Sequence, residues 1–351
     1  MNRASMRLQS IECFVVRLPF PLFFLLLTIL ALVKHGVRLE SPFDFRSPQS
    51  PAPWTSIQSP YLLIVDLAQG NSLVFHITAF VIAVGVLLLT TLLLKKRLPA
   101  DTYRVAVVIV MLGPLGLSLV HQIAKDDAWL LLGASILVLT SNRAWPLWIL
   151  GALLMSSGNS VQAVVGVSGL LVLSSIAPFR TFRFRSVVAA AVTISWLVME
   201  SSLGTPDQLN SFLPLMRDSI TASIDEGFLR IYSIYGAFWL IVLLVIVTLR
   251  ARDIAPAMIA LIILPLAITL LTLDGWRVGV AITAPMLFAV IRAYLPALVT
   301  AFNTRLGPWP TTAALVVLLV LPTLAVGSSQ VTTGHFTLPG SWVLNLVLNA
   351  T

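Results

Sequence analysis

Charge is what this chain has least of. Only 10% of its 351 residues are Asp, Glu, Lys or Arg, against about 25% in an ordinary soluble domain. Apolar residues make up 58% and the mean hydropathy is +0.96, so too little polar surface remains to solvate a globular fold. Cysteine is nearly absent: Cys13 stands alone, which excludes an intramolecular disulfide, a CxxC redox pair and a thiolate metal site. There is no Gly-rich phosphate loop, no serine nucleophile elbow and no HExxH or HxxxH spacing among His35, His76, His121 and His335. No cofactor is therefore expected, and a divalent metal has no support in the pattern. No internal repeat is visible either, which removes the usual basis for an inverted-repeat carrier. The basic pI of about 10.2 does not imply nucleic acid, because Lys and Arg fall in short clusters between apolar runs rather than in one stripe with aromatics.

What is present is a succession of apolar runs. A membrane span needs about 20 such residues, and eleven candidates occur, near 12–33, 71–94, 103–121, 127–141, 144–157, 161–178, 186–203, 231–249, 255–273, 278–292 and 311–327. The fourth and fifth are short, so ten to twelve spans are expected. The fold class is all-α: one polytopic transmembrane helical bundle filling residues 1–351. Met1 to Arg17, followed by the run Leu18 to Val33, has the basic flank and apolar centre of a signal sequence without a small-residue cleavage site, and reads as an uncleaved anchor.

Basic residues near span ends are retained in the cytoplasm. With the N-terminus inside, 15 of the 22 basic residues lie inside, among them Lys95–Arg97, Arg180, Arg183, Arg185, Arg250 and Arg292. The C-terminus then lies outside, in a cell inner membrane. This bias accounts for the arginine clusters, which need no function beyond anchoring to anionic lipid headgroups. It does not account for the acids, of which 11 of 14 fall outside, because Asp and Glu contribute little to orientation. Three outer segments have room for a site: 34–70, rich in proline; 204–230, with Asp207, Arg217, Asp218, Asp225 and Glu226; and the tail 328–351.

The chemistry-bearing groups sit at outer span ends. His121-Gln-Ile-Ala-Lys125-Asp126-Asp127 presses two carboxylates, a lysine and a histidine between apolar runs, where charge is costly unless it binds something; a short turn facing water is the alternative. Asp274-Gly-Trp276-Arg277 is a tight turn in which Arg277 either clasps Asp274 or offers its planar fork to a phosphate. Trp276 then sits in the interfacial belt or stacks on a sugar. Asn159 and Gln162 lie at a polar break, placed to hydrogen-bond a hydroxyl-rich ligand; the alternative is that Gly158 and the serines there only cap helix ends. Glu40 and Asp44 lie in the first outer loop, and Glu200 near the end of the seventh span.

Acids after span one, the acidic turn at 124–127, the polar break at Asn159 and the Asp274–Arg277 turn together resemble bacterial multi-span glycosyltransferases of the GT-C type and their exopolysaccharide or O-antigen polymerase relatives. The resemblance implies a polyprenyl-phosphate-linked sugar donor used at the outer face of the cytoplasmic membrane. The expected base is Asp44, Asp126 or Asp127; the expected substrate-binding residues are Arg277, Asp274, Asn159, Gln162, Lys125, His121, Trp276 and Glu200. Expected partners are membrane lipids, that donor and other membrane proteins. Two other classes stay open: a transporter, disfavoured because ionisable groups cluster at one face rather than mid-bilayer, and a non-catalytic subunit docking a partner through its outer loops.

Overall fold

Lipid offers no hydrogen bonds, so a chain this apolar satisfies its backbone inside helices. The computed structural model describes residues 3–36, 38–39, 71–123, 127–203, 220–221, 227–272, 275–323, 326–327 and 330–331. Apart from two pairs of two-residue strands, its regular structure is helical. In chain order the helices are α1 (Arg3–Arg17), α2 (Phe20–His35), α3 (Ser72–Arg97), α4 (Ala100–Leu112), α5 (Pro114–His121), α6 (Asp127–Leu139), α7 (Trp145–Gly158) and α8 (Ser160–Leu173). They continue with α9 (Arg183–Leu203), α10 (Gly227–Thr248), α11 (Ala251–Leu270), α12 (Gly275–Arg305) and α13 (Pro310–Val320).

Among the described residues, five helices are long and apolar enough to cross a membrane, and up to seven spans result if each of two bent pairs is one. The first expected span, 12–33, is not one straight helix. Residues 12–17 belong to α1, which meets α2 at 115°, because Pro19 cannot continue a helix begun upstream and α1 carries Arg3, Arg7 and Arg17 along its polar side. The other bent pair, α4 and α5, turns by 49° at Gly113-Pro114. Lys34 and His35, expected to begin the first outer loop, form the buried last turn of α2. Residues 227–230, expected in the second outer loop, open α10.

Small residues let the central helices approach closely, as is usual where no water drives association. A Cβ added to Gly133 of α6 would stand 2.3 Å from the carbonyl oxygen of Gly151 in α7, and one on Gly169 of α8 would meet Met286 of α12 at 2.5 Å. These contacts also fix direction. Gly133 neighbours Met155 while Gly151 neighbours Leu137, so α6 and α7 are antiparallel. Arg277 lies against Asp127 and Arg292 against Val138, so α6 and α12 run the same way. The break at Asn159 then returns α8 parallel to both.

Breaks leave carbonyls without helical donors, and buried side chains fill the gaps. Val15 and Leu318 each have a proline four residues on, Pro19 and Pro322. Arg104 donates to the Val15 carbonyl at 2.6 Å and to that of Leu18 at 2.9 Å. Lys34 Nζ donates to the carbonyls of Leu318 and, at 2.8 Å, Leu112. Leu261, in a π-helical turn four residues before Pro265, accepts from the Tyr235 hydroxyl at 2.8 Å. Glu12 does the converse at a helix start: its carboxylate accepts from the backbone N–H of Thr311 at 3.2 Å and of Thr312 at 2.6 Å, opening α13.

Overpacking a tight helix contact costs about 1–3 kcal/mol. Gly133→Ala, whose new methyl meets backbone, is expected to lower the thermal midpoint of the detergent-solubilised protein by several degrees. Gly85→Ala, where nothing lies within 4 Å, leaves the midpoint unchanged or slightly raised. Equal midpoints for the two variants would contradict this packing.

Candidate functional site

Three helices start at one end of the bundle: α6 at Asp127, α8 at Ser160 and α12 at Gly275. Each presents backbone N–H groups that its own turns cannot use and the positive end of its dipole. Between the first and last of these stands the central pair, with Arg277 Nε 3.9 Å from Asp127 Oδ2. Both side chains are withdrawn from solvent, 18% exposed for Arg277 and 5% for Asp127. Asp127 lies in the first turn of α6, where a carboxylate is favoured by the helix dipole.

Asn159 and Gln162 reach the same level. Met155 is beside Gly133, and four further residues of helix carry the chain about 6 Å onward. Asn159 therefore lies within about one turn of Asp127 along the α6 axis. On the other side Gly166 is against Ile282, four residues past Gln162 and five past Arg277, so those two differ in depth by about 1.5 Å. Asn159 itself caps α8: its Oδ1 accepts the Gln162 N–H at 3.0 Å, a role that the sequence pattern assigns to Gly158 and the serines. Gln162 is buried, and its Oε1 has no hydrogen-bond partner among the described residues. Ser156 Oγ, just before the break, is in the same condition.

More buried polar side chains gather at this end than the sequence pattern singles out. His35 is 2% exposed, with Nδ1 3.1 Å from Thr323 Oγ1 and Nε2 3.1 Å from the Met111 carbonyl. Beyond it Arg38 and Leu39 pair in parallel with Gln122 and Ile123, tying the end of α2 to the approach to Asp127. Arg230 is 1% exposed and donates to the Thr272 carbonyl, just before α12 begins. Tyr232 donates to the Pro322 carbonyl at 2.8 Å. In the sequence pattern Lys34 and Arg230 mark only loop boundaries, and the one available signal is a cation within an apolar run near a proline.

Of the other expected site residues, Glu200 lies in α9, half-buried, with Oε2 lacking a hydrogen-bond partner among the described residues. It is 15 residues along α9 from Arg185, which sits at the far end of α6, and so rises about 22 Å toward the Asp127 end. Glu40, Asp44, Lys125, Asp126 and Asp274 lie outside the described residues, as do the side chains of His121 and Trp276; the expected clasp of Asp274 on Arg277 falls there too. Among the described residues no three His, Cys, Asp or Glu side chains gather as a metal ion requires.

The opposite end corrects one reading. Arginines assigned to orientation and headgroup anchoring are partly structural. Arg185, 1% exposed, donates through Nη1 to the carbonyls of Leu137 and Val138, both at 2.9 Å, and through Nη2 to Asn142 Oδ1. Arg292 donates to Val138 at 2.6 Å and Arg97 to Leu139 at 2.8 Å. Three guanidinium groups thus close the C-terminus of α6, where carbonyls lack donors and the dipole is negative.

No family model, no characterised protein and no solved structure matches this chain. Its chemistry has to be argued from the residues themselves.

Contacting charged residues commonly couple by about 0.5–3 kcal/mol. Asp127→Asn, Arg277→Gln and the double variant are expected to give non-additive stability losses in that range, measured by denaturation in detergent. Strict additivity would mean that the two groups do not sense each other.

Proposed function

We propose that this protein is a glycosyltransferase that moves a sugar from a polyprenyl-phosphate carrier to a glycan or lipid acceptor at the outer face of the cytoplasmic membrane. One observation carries the reading: Asp127 and Arg277, 150 residues apart in sequence, meet at 3.9 Å where α6, α8 and α12 all begin. A lipid-phosphate donor asks the protein for two things, a base for the acceptor hydroxyl and positive charge for the departing phosphate. The pair supplies one candidate for each, and helix N-termini suit phosphate oxygens.

In this scheme a carboxylate takes the acceptor's hydroxyl proton and the freed oxygen attacks the anomeric carbon. A new glycosidic C–O bond forms as the bond from that carbon to the phosphate oxygen breaks, with inversion. The electron pair leaves on the phosphate, which Arg277 holds through its planar fork. The carboxylate is Asp127, Asp126 or Asp44. Gln162, with its acceptor oxygen buried at the same depth, and Asn159 border the sugar. The donor's hydrocarbon chain approaches through lipid, which suits a chain that spends so few residues on water.

The topology belongs to the same proposal. Counting both bent pairs and the four shorter apolar helices, Asp127–Leu139, Trp145–Gly158, Ser160–Leu173 and Pro310–Val320, with the five long ones, gives eleven crossings. The N-terminus is then cytoplasmic, and the Asp127 end faces outward. In a background with the exposed Cys13 replaced, a cysteine at position 126 should react with an impermeant maleimide from outside, and one at position 183 only from the cytoplasm. Reaction of position 126 from the cytoplasm would invert the scheme and remove the reading.

General-base catalysis is worth about 10² to 10⁴ in rate. With a synthetic lipid-phosphate sugar, one of Asp44→Asn, Asp126→Asn and Asp127→Asn is expected to lose turnover by that factor while donor binding persists. Arg277→Lys should also be impaired, since an ammonium keeps the charge but not the fork. Full turnover in all four variants means that the chemistry is elsewhere. Solute flux in liposomes without transfer would instead support a carrier.

A further inference from the structure

The arginine end of α6 holds more positive charge than the fold uses. Closing a helix C-terminus calls on donors facing a dipole of about half a negative charge, yet three full cations stand there. Arg185 and Arg292 share one acceptor, the Val138 carbonyl, at 2.9 and 2.6 Å, so their guanidinium groups are near neighbours. Arg97 donates to the adjoining Leu139 carbonyl. Among the described residues no carboxylate forms an ion pair with any of the three; the nearby acids of their chain segments are engaged elsewhere, Asp253 with Arg252 and Asp101 with Thr102.

The three differ in what they have left to give. Arg185 is sealed in: Nη1 and Nη2 serve Leu137, Val138 and Asn142, Nε is buried without a hydrogen-bond partner among the described residues, and the guanidinium lies over the rings of Trp148 and Phe182, with its carbon 5.0 and 5.3 Å from their centroids. Arg292 engages Nη1 alone, with Phe182 5.3 Å away, and Arg97 engages Nε alone. Both remain partly accessible, so Nη2 and Nε of Arg292 and both terminal nitrogens of Arg97 stand at the rim of a buried cationic floor. From the Arg185 floor, Trp148 leads to the outer surface of the bundle. Trp148 meets Phe184 edge-on, with ring centroids 5.9 Å apart, and Phe184 is 69% exposed, as is Trp145 at 59%.

We propose that this cradle binds a phosphate-bearing anion, held by the free donors of Arg97 and Arg292 over the Arg185 floor. The continuity with exposed aromatic surface points to the headgroup of an anionic phospholipid, whose acyl chain lies along Phe184 and Trp145. Paired guanidinium forks match phosphate oxygens bidentately, and a bound anion relieves the repulsion of three like charges at low dielectric. The site is at the opposite end of α6 from Asp127 and does not depend on the glycosyl-transfer reading.

The test uses the full chain, delipidated in neutral detergent, with dioleoyl phosphatidylglycerol, dioleoyl phosphatidylcholine or inorganic phosphate as probes. Thermal midpoints and native mass spectra are read in parallel. Phosphatidylglycerol is expected to raise the midpoint by several degrees and to leave a retained adduct, while phosphatidylcholine does neither. The same rise from inorganic phosphate alone keeps the site and assigns it to a soluble anion. No response to either phosphate, or an equal response to phosphatidylcholine, overturns the proposal. Arg97→Gln should weaken the phosphatidylglycerol response by about tenfold or more, whereas Arg143→Gln and Arg183→Gln, at exposed positions nearby, should not. An unchanged response in Arg97→Gln also overturns it. Adducts on the wild-type chain are counted directly, so the proposal stands or falls on them even where a variant folds poorly.

Discussion

A carbonyl oxygen released from its helix inside an apolar bundle has to find another donor, and this requirement organises the molecule. Water is excluded, and an unsatisfied polar group there costs several kcal/mol. The chain ends or bends its helices at Pro19, Pro114 and Pro322 and distorts α11 ahead of Pro265, and near each of these places a side chain from another helix delivers the missing hydrogens. Arg104, Lys34, His35 and Tyr235 serve in this way. Arg97, Arg185 and Arg292 do the same for the natural end of α6. Most of these bonds join segments far apart in sequence, so the groups that satisfy the backbone also lock the helices together.

Short central helices follow from this arrangement. α6 has 13 residues and α7 and α8 have 14 each, about 20 Å of helix where a hydrocarbon core is about 30 Å thick. Most of their ends are buried, the exposed Trp145 that opens α7 excepted, and charge placed at a buried end is shielded from water. Asp127 at the start of α6 and the three arginines at its finish are both products of that shortness. At the start, the neighbouring N-termini of α8 and α12 leave the local field positive, and Asp127 and Arg277 face each other within it.

Hydropathy in the sequence made the helical class and the approximate position of each apolar segment legible, because burial in lipid demands long runs whatever the tertiary details. It also singled out Asp127 and Arg277, since charges squeezed between such runs are conspicuous. It could not show that they meet, which depends on the parallel course of α6 and α12. Nor did it reveal the roles of Lys34, Arg185 or Arg230. A cation at the edge of an apolar run has the same appearance whether it faces the headgroups or turns inward to a distant carbonyl. The bend between α1 and α2 was hidden by the continuity of the apolar run across it, although Pro19 marked the place.

The clasp of Glu12 on the first N–H groups of α13 bears on how the molecule is made. The partners of Glu12, Lys34 and His35 include Thr311, Thr312, Leu318 and Thr323, which leave the ribosome some 300 residues later; at 5–20 residues per second the interval is about 15–60 s. Throughout it Glu12 on α1 and Lys34 and His35 on α2 lack these partners. The docking of α13 onto α1 is thus a late event, which waits on the synthesis of about 300 intervening residues.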